Sequence, residues 1–132
     1  MNQKEIISPD GLGEPIGPFV RGIKSGNIVA ISGTSALSHV KGPLGLRDLP
    51  TEFESQARLT FENLLISLKS AKLGWDNVVK MMVIIKRRED YAQLNAIRKE
   101  LFEEIPMAST TFIAELLRDD MLIEIDVWAV SP

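Results

Sequence analysis

The sequence predicts an α+β domain with two helices on one face of a mostly antiparallel sheet, and three observations carry that expectation. Apolar residues recur at steps of three and four in two separate segments, the spacing of amphipathic helices. Val78–Ile85 is a compact apolar and β-branched run of strand length, and Ile123–Val130 alternates with a period of two. In chain order the pattern reads hairpin, helix, strand, helix, and a closing pair of strands.

Residues Phe19–Ser32 hold Lys24-Ser25-Gly26-Asn27 ahead of Ile28-Val29-Ala30-Ile31, which reads as a β-hairpin. Gly42, Pro43, Gly45 and Pro50 then break up residues 33–50 into a long loop, the kind of segment that often carries function. Thr51-Glu52-Phe53-Glu54 has the spacing of a capping box, and Phe53, Ala57, Phe61, Leu64, Leu68 and Ala71 follow on one helical face. With Gly74 as a left-handed stop and Lys69 and Lys72 at the negative end of the dipole, this helix spans about 51 to 73. Val78–Ile85, interrupted by Lys80 alone, reads as a buried strand. Asp90-Tyr91-Ala92-Gln93 repeats the capping logic for a second helix, with Tyr91, Leu94, Ile97 and Leu101 as its apolar stripe and Pro106 beyond its end. Thr110–Ile113 favours extended structure, and Arg118-Asp119-Asp120 supplies a polar turn, so the last two strands are expected to pair as an antiparallel hairpin.

Along Ile123–Val130 one side carries Ile123, Ile125, Val127 and Ala129, and the other carries Glu124, Asp126 and Trp128. With both helices on one face, the second face of the sheet is left uncovered. Lys80, Met81, Met82, Val83 and Trp128 make that face too apolar for water, and burial between subunits is expected.

The chain has 132 residues, 45% apolar and 25% charged, which suits one soluble domain over residues 1–132. Fifteen Lys and Arg against 18 Asp and Glu leave a net charge of -3 without a basic block, so nucleic-acid binding is disfavoured. There is no cysteine, which excludes disulfides, thiolate metal sites and cysteine nucleophiles together, and the lone His39 cannot build a zinc site. No apolar run reaches membrane-spanning length, and Met1–Asp10 lacks the features of a secretory signal, so a cytoplasmic location is the default expectation.

Six segments in register resemble the YjgF/Rid family of reactive-intermediate deaminases, also called the endoribonuclease L-PSP family. They are Gly17-Pro18-Phe19; Asn27 to Gly33; Gln56-Ala57-Arg58 with Phe61-Glu62-Asn63-Leu64; Val78-Val79-Lys80; Asp90 to Asn95; and Ile123-Glu124-Ile125-Asp126 with Ala129. The resemblance implies a chorismate-mutase-like subunit, a homotrimer with ligand clefts between subunits, and hydrolysis of an enamine or imine to a carbonyl and ammonia without metal or organic cofactor. It also implies that an arginine in a Pro-x-Arg-Ser segment anchors the substrate carboxylate. Here that segment reads Pro106-Met107-Ala108-Ser109, so the anchor position is Ala108, which offers neither charge nor donor. The family's Tyr-Ser pair after Gly-Pro is Phe19-Val20. An atypical substrate follows, and a catalytically silent ligand-binding or protein-interacting trimer is the rival expectation.

Glu124 is the candidate catalytic residue, because the resemblance places it in the cleft and a carboxylate among apolar walls suits proton transfer. Phe19, Arg21, Gly33, Asn95, Ser109 and Thr110 are the candidate substrate-binding residues. All but Phe19 have a plainer alternative: a surface cation for Arg21, turn chemistry for Gly33, a solvated helix face for Asn95, ordinary β-propensity for Ser109 and Thr110. His39 reads better as an exposed loop residue than as a base, and Lys86-Arg87-Arg88 as a solvated turn.

Overall fold

The structure, a computed structural model, describes residues 3–132, so the first two residues of the expected domain and of the polar Met1–Asp10 start lie outside the described residues. The elements are β1 (Lys4–Ile7), β2 (Gly22–Ser25), β3 (Ile28–Thr34), α1 (Phe53–Ser70), β4 (Val78–Ile85), α2 (Tyr91–Phe102), β5 (Ala108–Ile113) and β6 (Ile123–Val130). They form one six-stranded sheet in the order β1-β2-β3-β6-β4-β5. All neighbours are antiparallel except β4 and β5, which run parallel across the helix α2. The expected class, two helices over a mostly antiparallel sheet, is therefore the observed one.

The hairpin forms where Gly26-Asn27 sits between β2 and β3, and Gly26 at φ 60 supplies the left-handed turn residue that a tight loop needs. β1, for which the sequence pattern predicts no element, adds an edge strand whose sole buried residue is Ile7. The expected pairing of the last two strands does not occur. β6 passes over β4 to lie between β3 and β4, while β5 stays at the edge against β4. Burial explains the choice: β6 has four apolar residues fully in the core, whereas β5 is almost wholly exposed, so only a central position covers what β6 must bury.

The core lies between the helices and one sheet face. Phe53, Ala57, Phe61, Leu64 and Leu68 of α1 and Leu94, Ile97 and Phe102 of α2 pack on Val29, Ile31, Met81, Val83, Ile85 and the odd-numbered residues of β6. Met81 and Val83, expected on the uncovered face, thus belong to the helix side, because β4 alternates and only Lys80, Met82 and Ile84 point the other way. Tyr91 and Leu101, expected in the α2 stripe, are exposed, and Phe102 takes the buried place against Phe61 and Trp75 at ring separations of 5.5 and 5.1 Å. On the open face Met82, Phe112, Trp128 and Ile28 remain exposed. Among the described residues no helix is long and apolar enough to cross a membrane.

The helix ends differ from the sequence expectation. Glu52, not Thr51, precedes α1, and no side chain caps it. The left-handed residue after α1 is Lys72 at φ 62, while Gly74 is extended. Asp90 leaves the α2 terminus uncapped and pairs with Arg87 at 2.9 Å.

The start of α1 is fastened instead by Gln56. Its buried amide donates to the Pro50 and Asp120 carbonyls at 2.7 and 2.9 Å and accepts from the Leu122 N–H at 2.8 Å. One side chain thereby joins the end of the long loop, α1 and the residue before β6. Gln56→Ala leaves these buried backbone groups unpaired and is expected to lower the unfolding free energy by about 2 to 4 kcal/mol, read by urea denaturation.

Candidate functional site

β6 sets Glu124 opposite Ile84, Asp126 opposite Met82 and Trp128 opposite Lys80, all on the face without helices. Glu124 stands over Gly33 at the end of β3, where the pairing with β6 shifts register between Ile31 and Thr34. A Cβ built on Gly33 would lie 3.1 Å from Cδ of Glu124 and 3.3 Å from its Oε1, so the missing side chain is what admits the carboxylate. The side chain of Glu124 makes no hydrogen bond among the described residues. Burial, and secondarily the charge of Asp126, raise its pKa; burial raises that of Asp126 as well.

In front of Glu124 lies a cavity of about 100 Å³ whose walls include Phe19, Arg21, Gly33, Leu37, Arg47 and Met121. The long loop is built around two buried arginines. Arg21 donates through Nε and Nη2 to the Gly13 carbonyl at 3.1 and 2.8 Å and through Nη2 to Ser38 at 3.3 Å. Arg47 donates to the carbonyls of Gly42, Leu37 and Glu14 at 2.9, 3.1 and 3.0 Å. Asn63 of α1 holds the Ser35 carbonyl at 2.9 Å. Arg21 is thus neither a surface cation nor a free anion fork: two of its three nitrogens shape the pocket wall, and Nη1 makes no hydrogen bond among the described residues. Burial, with the neighbouring Arg47 charge, lowers its pKa.

The other candidates divide between the two faces. Thr110 is opposite Met82 on the open face and accepts from Lys80 Nζ at 2.8 Å, with Ala108 beside it opposite Lys80. Ser109 is opposite Met81 and so faces the helix side, where Arg98 Nη1 donates to its hydroxyl at 2.8 Å and Arg98 Nη2 to Asn95 Oδ1 at 2.6 Å. Within one chain, then, Phe19, Arg21 and Gly33 meet Glu124, Thr110 shares its face, and Asn95 and Ser109 do not reach it. Arg98 is absent from the sequence expectation; its one signal was the three-residue spacing from Asn95 on a helix. His39 is exposed on the loop, Lys86 donates to the Asp119 carbonyl, and Arg87 pairs with Asp90.

A half-buried carboxylate with no side-chain partner among the described residues, a neighbouring glycine that exposes backbone, and an apolar ring at the rim form a pocket able to hold a small polar molecule and to move a proton. The fold is that of a small α+β domain with a pocket at the end of a central strand. The chain belongs to the endoribonuclease L-PSP family, whose pattern matches residues 12–131. It is 31% identical over 126 residues to RutC family protein PH0854 of Pyrococcus horikoshii, covering 96% of this chain and 97% of that protein. It is also 31% identical over 131 residues, with 96% and 97% covered, to TdcF of Escherichia coli, whose name puts it forward as a reactive intermediate deaminase. The crystal structure of E. coli TdcF with bound serine superimposes with a TM-score of 0.85 at 27% identity, over 97% of this chain and 99% of that one.

The pKa shifts set a pH dependence. A carboxyl whose pKa is raised by folding holds its proton more tightly in the folded chain, so its contribution is fully present below the unfolded value and is lost as pH rises through the folded one. Glu124→Gln removes that loss. Urea denaturation as a function of pH is expected to show the stability difference shifting in the variant's favour as pH rises above the ordinary carboxylate range.

Proposed function

We propose that this chain is an enamine/imine hydrolase acting in clefts between the subunits of a cytoplasmic homotrimer, with Glu124 holding and activating the water. The observation that carries the reading is the Glu124 carboxylate, half-buried over Gly33 in a pocket and without a partner among the described residues. A protonated imine is already a strong electrophile, so the reaction needs a placed water, a proton acceptor and donors for the substrate. Water adds to the imine carbon while Glu124 takes its proton; that proton then goes to nitrogen, the carbon–nitrogen bond breaks as Glu124 takes the remaining hydroxyl proton, and a carbonyl and ammonia leave, the ammonia carrying that proton away as ammonium. No metal or organic cofactor enters these steps.

Phe19, Arg21 and Gly33 bind the substrate from the wall beside Glu124, and Thr110, Ser109 and Asn95 approach from the neighbouring subunit across the open face and sheet edge. Exposed Met82, Phe112, Trp128 and Ile28 supply the apolar surface that such an assembly covers. Ala108 stands where the family's anchoring arginine is expected, so simple amino-acid imines are poorly gripped and the natural substrate differs from them.

Two measurements test the reading. Sedimentation is expected to give a particle near three times the 14.7 kDa chain mass, and a stable monomer removes the intersubunit cleft. A screen of imines and enamines, with and without carboxylates, is expected to yield a substrate on which trimeric Glu124→Gln is slower by about 10²- to 10⁴-fold. Equal turnover by the variant makes Glu124 structural and leaves the silent scaffold. On 2-iminopropanoate the wild type is expected to be weak, and Ala108→Arg to raise kcat/KM by about 30-fold or more, the value of a charge-assisted bidentate contact.

A further inference from the structure

Much of the pocket wall in front of Glu124 is hydrocarbon that neither holds water nor moves a proton. Besides Phe19, the lining includes Ile16, Leu37, Leu44, Leu117 and Met121. Leu37 and Met121 are buried, but Leu117 is 71% exposed, Phe19 46% and Ile16 42%. Apolar side chains scattered singly over a surface need no explanation, whereas several converging on one cavity mark a surface built to be covered. Arg118 fixes this rim. The residue next to Leu117, it donates through Nη1 to the carbonyls of Leu44 and Arg47 at 2.8 and 2.6 Å, so Leu117 and the Leu44 turn are held together at the mouth.

The same pocket offers little to an anion. Arg47 donates to loop carbonyls from all three of its guanidinium nitrogens and Arg21 from two of its three, so neither presents the parallel pair of N–H groups that a carboxylate takes. Ala108 adds no cation. The carboxylate in the wall is Glu124 itself, with Asp126 on the same face of β6, and when ionised both repel a second anion. The cavity of about 100 Å³ has the liquid volume of about three waters, room for a branched hydrocarbon body of about four carbons.

We propose that the substrate of this pocket is the imine or enamine of a neutral aldehyde or ketone, without a carboxylate and with a compact branched hydrocarbon body that Ile16, Leu44 and Leu117 hold. This substrate class rests on the hydrolytic role of Glu124. Glu124 serves the carbon–nitrogen bond, and the rim selects by burying apolar surface, each methylene adding about fourfold in affinity.

Titration of the methyl resonances of the full chain with 4-methyl-2-pentanone, with acetone and with 4-methyl-2-oxopentanoate separates body from charge, and none of the three needs turnover. The branched ketone is expected to bind at least about tenfold more tightly than acetone or the oxoacid. Leu117→Ser, folded by circular dichroism and followed at Ile16, is expected to lose about fivefold or more for the branched ketone. Leu101→Ser, which removes an exposed leucine outside the pocket, is expected to keep wild-type affinity. With imines released from 3-methylbutylamine and from ethylamine by a flavin-dependent amine oxidase, the wild type is expected to favour the branched one by about tenfold in kcat/KM. Leu117→Ser is expected to lose that preference through KM. Similar binding of the two ketones, tighter binding of the oxoacid, or unchanged affinity in Leu117→Ser each overturns the proposal. So does a Leu117→Ser chain that dissociates into monomers where the wild type does not, because the rim is then a subunit contact. The expected binding order without turnover of any imine overturns the hydrolytic role of Glu124 instead.

Discussion

Everything in this molecule depends on β6 lying between β3 and β4 in one register. Its period of two sends Ile123, Ile125, Val127 and Ala129 under the helices and turns Glu124 and Asp126 toward the open face. A slip of one residue would bury both carboxylates in the core and expose four apolar side chains, a loss far larger than the stability of a typical domain allows. Gln56 fastens the residue before the strand, and the register shift at the end of β3 makes room over Gly33. Site and core are two faces of the same strand, so what stabilises one positions the other.

The parts visible in the sequence were those in which one residue type recurs at a fixed step. The α1 stripe, the compact β4 and the alternation of β6 are periodic, and each forms as its pattern requires. The partner of β6 was not visible, because periodicity says which face a strand buries and nothing about its neighbours. Arg118-Asp119-Asp120 looked like a hairpin turn, yet Arg118 donates to the carbonyls of Leu44 and Arg47 at 2.8 and 2.6 Å and fastens the long loop. Helix stops failed for a related reason: Lys72 adopts φ 62 where a glycine two residues later was the local favourite.

The site was partly legible. Glu124 could be singled out because the family resemblance places it in the cleft and it lies on the side of β6 away from the apolar stripe, and the structure sets Phe19, Arg21 and Gly33 around it. The burial of Arg21 was hidden, since its partners are backbone carbonyls of residues 13 and 38, which no side-chain pattern records. Arg21 and Arg47 satisfy loop carbonyls that would otherwise face the pocket unpaired, so cations act here as structural donors in place of a regular strand. Arg98 was hidden differently, as one more charged residue on a helix whose meaning lies in a hydroxyl eleven residues further on.

The central place of β6 also bears on how the protein is made. β6 follows every other element in sequence, yet it joins β3, whose partner residues were synthesised about a hundred positions earlier, to β4. Until it emerges from the ribosome, β1-β2-β3 and the β4-β5 pair are two separate pieces of sheet with their inner edges bare. The nascent chain carries those edges, and the apolar faces beside them, until β6 appears. Closure of the sheet therefore comes after every other strand has formed and is dominated by long-range contacts.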